Sequence, residues 1–106
     1  MTPTDAIRAL NDEFRKTLRG GRVVVTGGIA ARADANIIID RVKSFDAFST
    51  DNDPYGEHDF GALDEGGDQV FWKIDYYDSD LNAGSPDPAD QAVTTRVLTI
   101  MLAEEY

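Results

Sequence analysis

Apolar positions near the start of the chain recur every three or four residues, which is the period of an α-helix. This spacing predicts a helix over 4–18, with Thr4 as its N-cap and Gly20 at its end. Residues 22–26 include three consecutive valines and predict a short, continuously apolar strand. The apolar face of the helix consists of Ile7, Leu10, Phe14 and Leu18.

A second helix is predicted over 35–45, with Asp34 as its N-cap. Three consecutive isoleucines in this segment are also typical of a strand, so both interpretations stay open. If the segment is helical, its buried side consists of Ile37, Ile38, Val42 and Phe45.

The second half of the chain has the period of β-strands. Residues 57–63 and 70–77 predict a hairpin whose turn is 64–68. Residues 94–103 predict a last strand with Leu98, Ile100 and Leu102 pointing inward, although Pro88 could instead begin a helix there. In the strand 70–77, Val70, Trp72, Ile74 and Tyr76 share one face, and Phe71, Lys73, Asp75 and Tyr77 share the other.

These elements predict one α+β domain over residues 1–106, with two helices packed on a mostly antiparallel sheet of about four strands. The side chains expected in its core are Phe14, Val25, Trp72, Ile74, Leu98 and Ile100.

The composition excludes several classes of protein. The 106 residues include no cysteine, which excludes disulfides and thiolate metal ligands and fits the cytoplasm. No apolar run is long enough to span a bilayer, so we expect no membrane partner.

Charge is distributed unevenly along the chain, whose formal net charge is −10. Residues 1–45 carry eight basic and five acidic side chains, whereas residues 46–90 carry thirteen acids and the single base Lys73. Such a field repels nucleic acid and acidic membranes and attracts cations or basic proteins. Solubility alone is the other explanation for this acidity.

Five segments together resemble a bacterial, often plasmid-borne family of small proteins of unknown function. They cover nearly the whole chain. The resemblance implies a bacterial protein from a mobile element, but it brings no activity and no site residues. The segments are IRALNDEFR (7–15), GGRVVVTGG (20–28), NDPYGEHDFG (52–61), FWKIDYYD (71–78) and TRVLTIMLAEEY (95–106).

The acid-rich loop before the hairpin is the best candidate for chemistry. Asp51, Asp53, Gly56, Glu57 and Asp59 partly follow the spacing of a calcium loop, but the twelfth position, where a bidentate Glu belongs, is Ala62. We therefore expect no tight metal site, and a looser one on Asp53, Glu57, His58 and Asp59 remains an alternative. No cofactor is expected.

His58 is the only histidine. It could act as a general base, oriented by Asp75 or Tyr77 from across the sheet, or it could be a structural histidine near the sheet edge.

The distribution of charge favours an interaction protein over an enzyme. We expect a non-enzymatic acidic protein that binds a basic protein surface and no nucleic acid directly. Because rows of carboxylates can resemble the phosphates of nucleic acid, such a protein could inhibit a restriction or CRISPR effector by mimicry. The alternative is a small enzyme or divalent-metal-binding protein centred on the His58 loop. The predicted partner-binding residues are Asp51, Asp53, Tyr55, Glu57, Asp59, Asp64, Glu65, Asp75, Tyr77 and Asp78.

Overall fold

The computed structural model describes residues 1–106, and its first element is helix α1, Pro3–Thr17. Thr2 is the N-cap, not Thr4 as predicted, because Pro3 takes the first helical position, where its missing N–H costs nothing. The Thr2 hydroxyl accepts from the Asp5 N–H over 3.1 Å, and the Asp5 carboxylate accepts from the Thr2 N–H over 3.2 Å. This capping box satisfies two N–H groups at the helix start. The helix ends at Leu18, whose φ is 58°.

Strand β1 (Gly21–Val25) follows, and then two helices lead back across the sheet. Helix α2 (Gly27–Ala30) was not predicted, whereas α3 (Ala35–Lys43) confirms the second predicted helix and excludes a strand there. Within α3, Ile38 and Val42 are fully buried, but Ile37 is 53% exposed. Placing Ile37 in the core was therefore wrong.

Strands β2 (Phe60–Glu65) and β3 (Asp68–Tyr77) form the predicted hairpin. Its turn, Gly66–Gly67, has positive φ at both residues, a conformation that glycine adopts without strain. The prediction that β2 begins at Glu57 was wrong, because the positive φ of His58 does not fit an extended strand.

Strand β4 (Thr95–Leu102) confirms the predicted last strand and excludes a helix at this position. The strand order is β1-β4-β3-β2, so β4 lies inside the sheet. It pairs in parallel with β1 and antiparallel with β3, which also pairs antiparallel with β2. The predicted α+β class, with a mostly antiparallel sheet of four strands, is thereby confirmed.

The core lies between the helices and one face of the sheet. Of the six residues predicted to be buried, all but Val25 are, and Val25 is half-buried because β1 is an edge strand. No α-helix packs on the opposite face, which the short 3₁₀ helix Ala103–Glu105 adjoins. No helix is long and apolar enough to cross a membrane. The core consists of Phe14, Ile29, Ile38, Val42, Leu63, Val70, Trp72, Ile74, Leu98 and Ile100.

Candidate functional site

The loop 44–59 holds half of the predicted partner-binding residues, and side chains of helix α1 fix it in place. Arg8 Nη1 donates to the carbonyl of Gly56 over 2.9 Å, and Asn11 Nδ2 donates to the carbonyl of Glu57 over 3.0 Å. These contacts join segments more than forty residues apart in the sequence. The acid-rich loop is therefore attached to α1.

His58 lies at the end of this loop, with its backbone at a φ of 54°. Its N–H donates to Asp53 Oδ1 over 3.1 Å. The ring Nδ1 lies 2.9 Å from Asp12 Oδ1, and because an ionised carboxylate only accepts, Nδ1 donates. The ring Nε2 lies 3.6 Å from Asp53 Oδ2, and the ring stacks on Phe48 with centroids 3.7 Å apart.

These contacts make His58 a link between the loop and helix α1. Both ring nitrogens face carboxylates, one ring face is covered, and none of the four surface grooves is lined by His58. Asp12 also accepts from the buried guanidinium of Arg15 over 3.2 Å. The expected partners Asp75 and Tyr77 were wrong, because they project from the other face of β3.

A second polar network is buried beside this link. Arg96 Nε donates to Asn11 Oδ1 over 2.7 Å, and both residues are fully buried. Tyr76 Oη lies 2.7 Å from Asn11 Nδ2 and donates to Glu57 Oε1 over 2.7 Å. Burial and this hydrogen bond to Glu57 raise the pKa of Tyr76. The network thus connects the core to the surface carboxylate of Glu57.

Four carboxylates of the predicted site form what we call the acidic cluster: Asp53, Glu57, Asp59 and Asp75. Burial raises the pKa of Asp59, and the negative charges of Glu57, Asp53 and Asp75 raise it further. Lys73, which pairs with Asp75 over 2.9 Å, neutralises one member. Asp53, Glu57 and Asp75 therefore lie close enough for their charges to act on Asp59, whose ionised form is less favourable than in solvent.

Replacing Asp59 with Asn is expected to stabilise the protein at neutral pH by about 0.5 kcal/mol, a small value because Asp59 is only half-buried. A carboxyl whose pKa is higher in the folded state destabilises that state when it ionises. The gain should therefore be largest above the raised pKa and vanish as the pH falls below 3.8, the ordinary value. Urea unfolding of both proteins between pH 3 and 8 measures it. Asp51→Asn, in an exposed part of the same loop, is the control, and an equal gain there would contradict the assignment.

The other predicted residues lie apart from the acidic cluster. Asp51 is exposed, as is Tyr55, at 79%, in the same loop. Glu65 pairs with Arg41 over 3.1 Å. Asp64 and Tyr77 project from the open face of the sheet, and Asp78 accepts the N–H of Asn82 in a turn.

Sequence reasoning missed Asn11, Asp12, Phe48 and Arg96. Asn11 lies four residues after Ile7 and three before Phe14, in the middle of the apolar stripe, so it occupies a core position. Arg96 likewise shares the two-residue period of Leu98 and Ile100. A polar residue at a core position was the available signal for both.

The acids and the histidine do not form a metal site. No group of three or more His, Asp or Glu side chains is arranged to hold an ion. The looser ion site on the loop therefore has no preformed ligand set in this structure.

The open face of the sheet is not covered by an α-helix. Two adjoining grooves cross it, of about 360 and 370 Å³, and Tyr77 and Val97 line both. Phe60, Phe71 and Tyr106 form an aromatic row beside them, with centroids 5.2 and 5.8 Å apart. This surface can accept apolar groups.

Fold and site define a two-layer α+β protein with a polar loop fixed to one helix and an open sheet face. The family described as "Protein of unknown function (DUF3768)" matches residues 4–105, and the chain belongs to this family. No curated protein and no solved structure matches the chain. The resemblance to a family of unknown function over nearly the whole chain is thereby confirmed.

Proposed function

We propose that this protein is a non-enzymatic interaction protein whose acidic cluster binds a basic protein surface. The observation that carries the proposal is the placement of Asp53, Glu57 and Asp75 around the half-buried Asp59; burial and these neighbouring charges raise the pKa of Asp59. Repulsion among these groups is retained in the folded protein. Lysine or arginine side chains of a partner would reduce this repulsion. Binding is then more favourable, because the repulsion destabilises the free protein but not the complex.

The geometry of His58 supports an interaction protein over an enzyme. A general base needs a free nitrogen within reach of a substrate proton. The nitrogens of His58 face Asp12 and Asp53 instead, and Phe48 covers one ring face. This arrangement positions the loop that carries Asp53, Glu57 and Asp59.

The narrower proposal names the partner as a nucleic-acid-handling protein, such as a restriction or CRISPR effector. Proteins of this class hold phosphates with arginine and lysine in a groove, and carboxylates can occupy the same groove. A mobile element as source, a bacterial host and the cytoplasm as compartment belong to this narrower proposal. They rest on the family resemblance and on the absence of cysteine.

Two variants with equal net charge test the proposal. The first, Glu57→Gln/Asp59→Asn/Asp75→Asn, neutralises three members of the acidic cluster. The control, Glu13→Gln/Asp40→Asn/Glu104→Gln, neutralises three exposed acids elsewhere that form no ion pair. Partners captured from a host lysate by the unsubstituted protein are identified, and their association rates with all three proteins are measured.

We expect the cluster variant to associate on the order of ten-fold more slowly, and the control nearly as fast as the unsubstituted protein. The rate should fall with salt, because the Debye length shrinks from about 10 Å at 0.1 M to about 3 Å at 1 M. Equal slowing by both variants would show that only net charge matters. Direct binding of DNA or RNA at physiological salt would contradict mimicry.

A further inference from the structure

The two edge strands of the sheet differ in whether other parts of the chain contact their outward-facing side. At the β2 edge, Arg41 donates to the carbonyl of Asp64, and residues 44–47 run beside Ala62 and Leu63. At the β1 edge, no side chain or loop donates to or accepts from residues 21–25; the nearest such contact, from Gln91, reaches the carbonyl of Gly20. One edge is protected and the other is open.

The register identifies which backbone groups of β1 are free. The Thr26 N–H donates to the Ile100 carbonyl over 3.1 Å, and β1 continues in parallel register along β4. Successive residues of a strand direct their backbone N–H and C=O groups to opposite sides. Because the Thr26 N–H faces β4, the backbone groups of Arg22 and Val24 face β4 as well. The groups of Gly21, Val23 and Val25 therefore point away from the sheet, where a further strand would pair.

The side chains of β1 do not protect this edge. Natural proteins usually blunt an edge with charges, proline, bulges or a covering segment. Here four of the five residues of β1 are exposed, including Val23 at 36% and Val24 at 45%, and Arg22 is the only charged one. Because valine favours strands, exposed valines on an unpaired edge suit pairing with a further strand.

The charges near β1 indicate which kind of strand would pair with this edge. Lys16, Arg19 and Arg22 are exposed and form no ion pair, in a chain of net charge −10. Arg22 lies on β1, and Lys16 and Arg19 lie in the five residues of the chain before it. A second copy pairing through its own β1 would bring three more cations to them, so like charges disfavour it. A strand with acidic side chains would neutralise them.

We propose that the β1 edge binds an extended, acidic segment of another protein, which adds a fifth strand antiparallel or parallel to β1. Backbone hydrogen bonds to Val23 and Val25 supply the pairing, as in other cases of strand addition. The groove formed by Arg22, Val24, Leu81 and their neighbours receives side chains on the open face. No residue of β1 belongs to the acidic cluster.

Two synthetic peptides test the proposal: acetyl-EVEVEVE-amide and its charge-reversed counterpart acetyl-KVKVKVK-amide. With binding at the β1 edge followed by hydrogen exchange at the Val23 and Val25 amides, we expect the acidic peptide to bind at least ten-fold more tightly than the basic one, and the difference to shrink as salt rises. On binding, hydrogen exchange at the Val23 and Val25 amides should slow, whereas that of Val24, already bonded to β4, should not change.

Val23→Pro provides the decisive variant. It removes an outward N–H that the sheet does not use, so the fold should persist while peptide binding is lost. Val24→Pro, which removes an N–H bonded to β4, should instead destabilise the protein. Absence of acidic-peptide binding at this edge, or equal slowing of exchange at the Val23 and Val25 amides by both peptides, would overturn the proposal. A dimer of the protein alone that Val23→Pro dissociates would show that the edge is occupied by a second copy instead.

Discussion

Replacing Trp72 with alanine is expected to lower the free energy of unfolding by about 3–5 kcal/mol. Trp72 is fully buried, and the rings of Phe45 and Phe48 contact it edge-on with centroids 5.5 and 6.1 Å away. The guanidinium of Arg15 lies 5.1 Å from its centroid. Alanine leaves a cavity that aromatic neighbours cannot fill without moving, and Phe48 also supports His58. The loss should therefore extend to loop 44–59.

Urea unfolding followed by far-UV circular dichroism measures this effect, because Trp72 is the only tryptophan and its fluorescence disappears with it. Phe71→Ala is the matched control. Phe71 adjoins Trp72 on the same strand but lies half-buried on the open face, against Phe60 and Tyr106. Its replacement should cost less than half as much. Equal losses of unfolding free energy at the two positions would contradict the assignment of Trp72 to the buried face and Phe71 to the open face.

The fold could be predicted in segments where the apolar residues follow a single period, that of a helix or that of a strand. Alternation in β3 correctly assigned Val70, Trp72 and Ile74 to the core, because one face of this strand is buried and the other is not. The valines of β1 predicted a continuously apolar strand with Val25 in the core. Whether such a strand lies inside the sheet or at its edge depends on strand order, which the local pattern does not contain.

The candidate site could be predicted only in part, because its contacts join distant segments. The acids of 53–59 were identified from composition, but His58 pairs with Asp12, 46 residues away. Asn11 and Arg96 are 85 residues apart. Nothing in the spacing of acids indicates a helix that packs beside them. The positive φ of His58, which makes β2 begin later than predicted, also depends on its contacts with Asp53.

The buried network at Arg96 gives the second large expected effect. No carboxylate pairs with this guanidinium; its acceptors are Asn11 Oδ1 at 2.7 Å, Gln91 Oε1 at 2.6 Å and the carbonyl of Pro88. Burial lowers the pKa of Arg96. Its charge is therefore compensated by neutral oxygens and by the ring of Tyr76, whose centroid lies 5.3 Å away.

Arg96→Ala is expected to lower the free energy of unfolding by about 3 kcal/mol, because it leaves buried acceptors without donors and opens a cavity. Arg22→Ala, at an exposed arginine of the neighbouring strand, should change it by less than about 0.5 kcal/mol.

A double-mutant cycle with Asn11→Ala isolates the contact between Arg96 and Asn11. Since each single substitution already breaks the same hydrogen bond, the double variant should lose less than the sum, with a coupling of about 0.5–3 kcal/mol. Additive losses would show that Arg96 stabilises the fold through packing alone, without the network that fixes Glu57 and the acidic cluster.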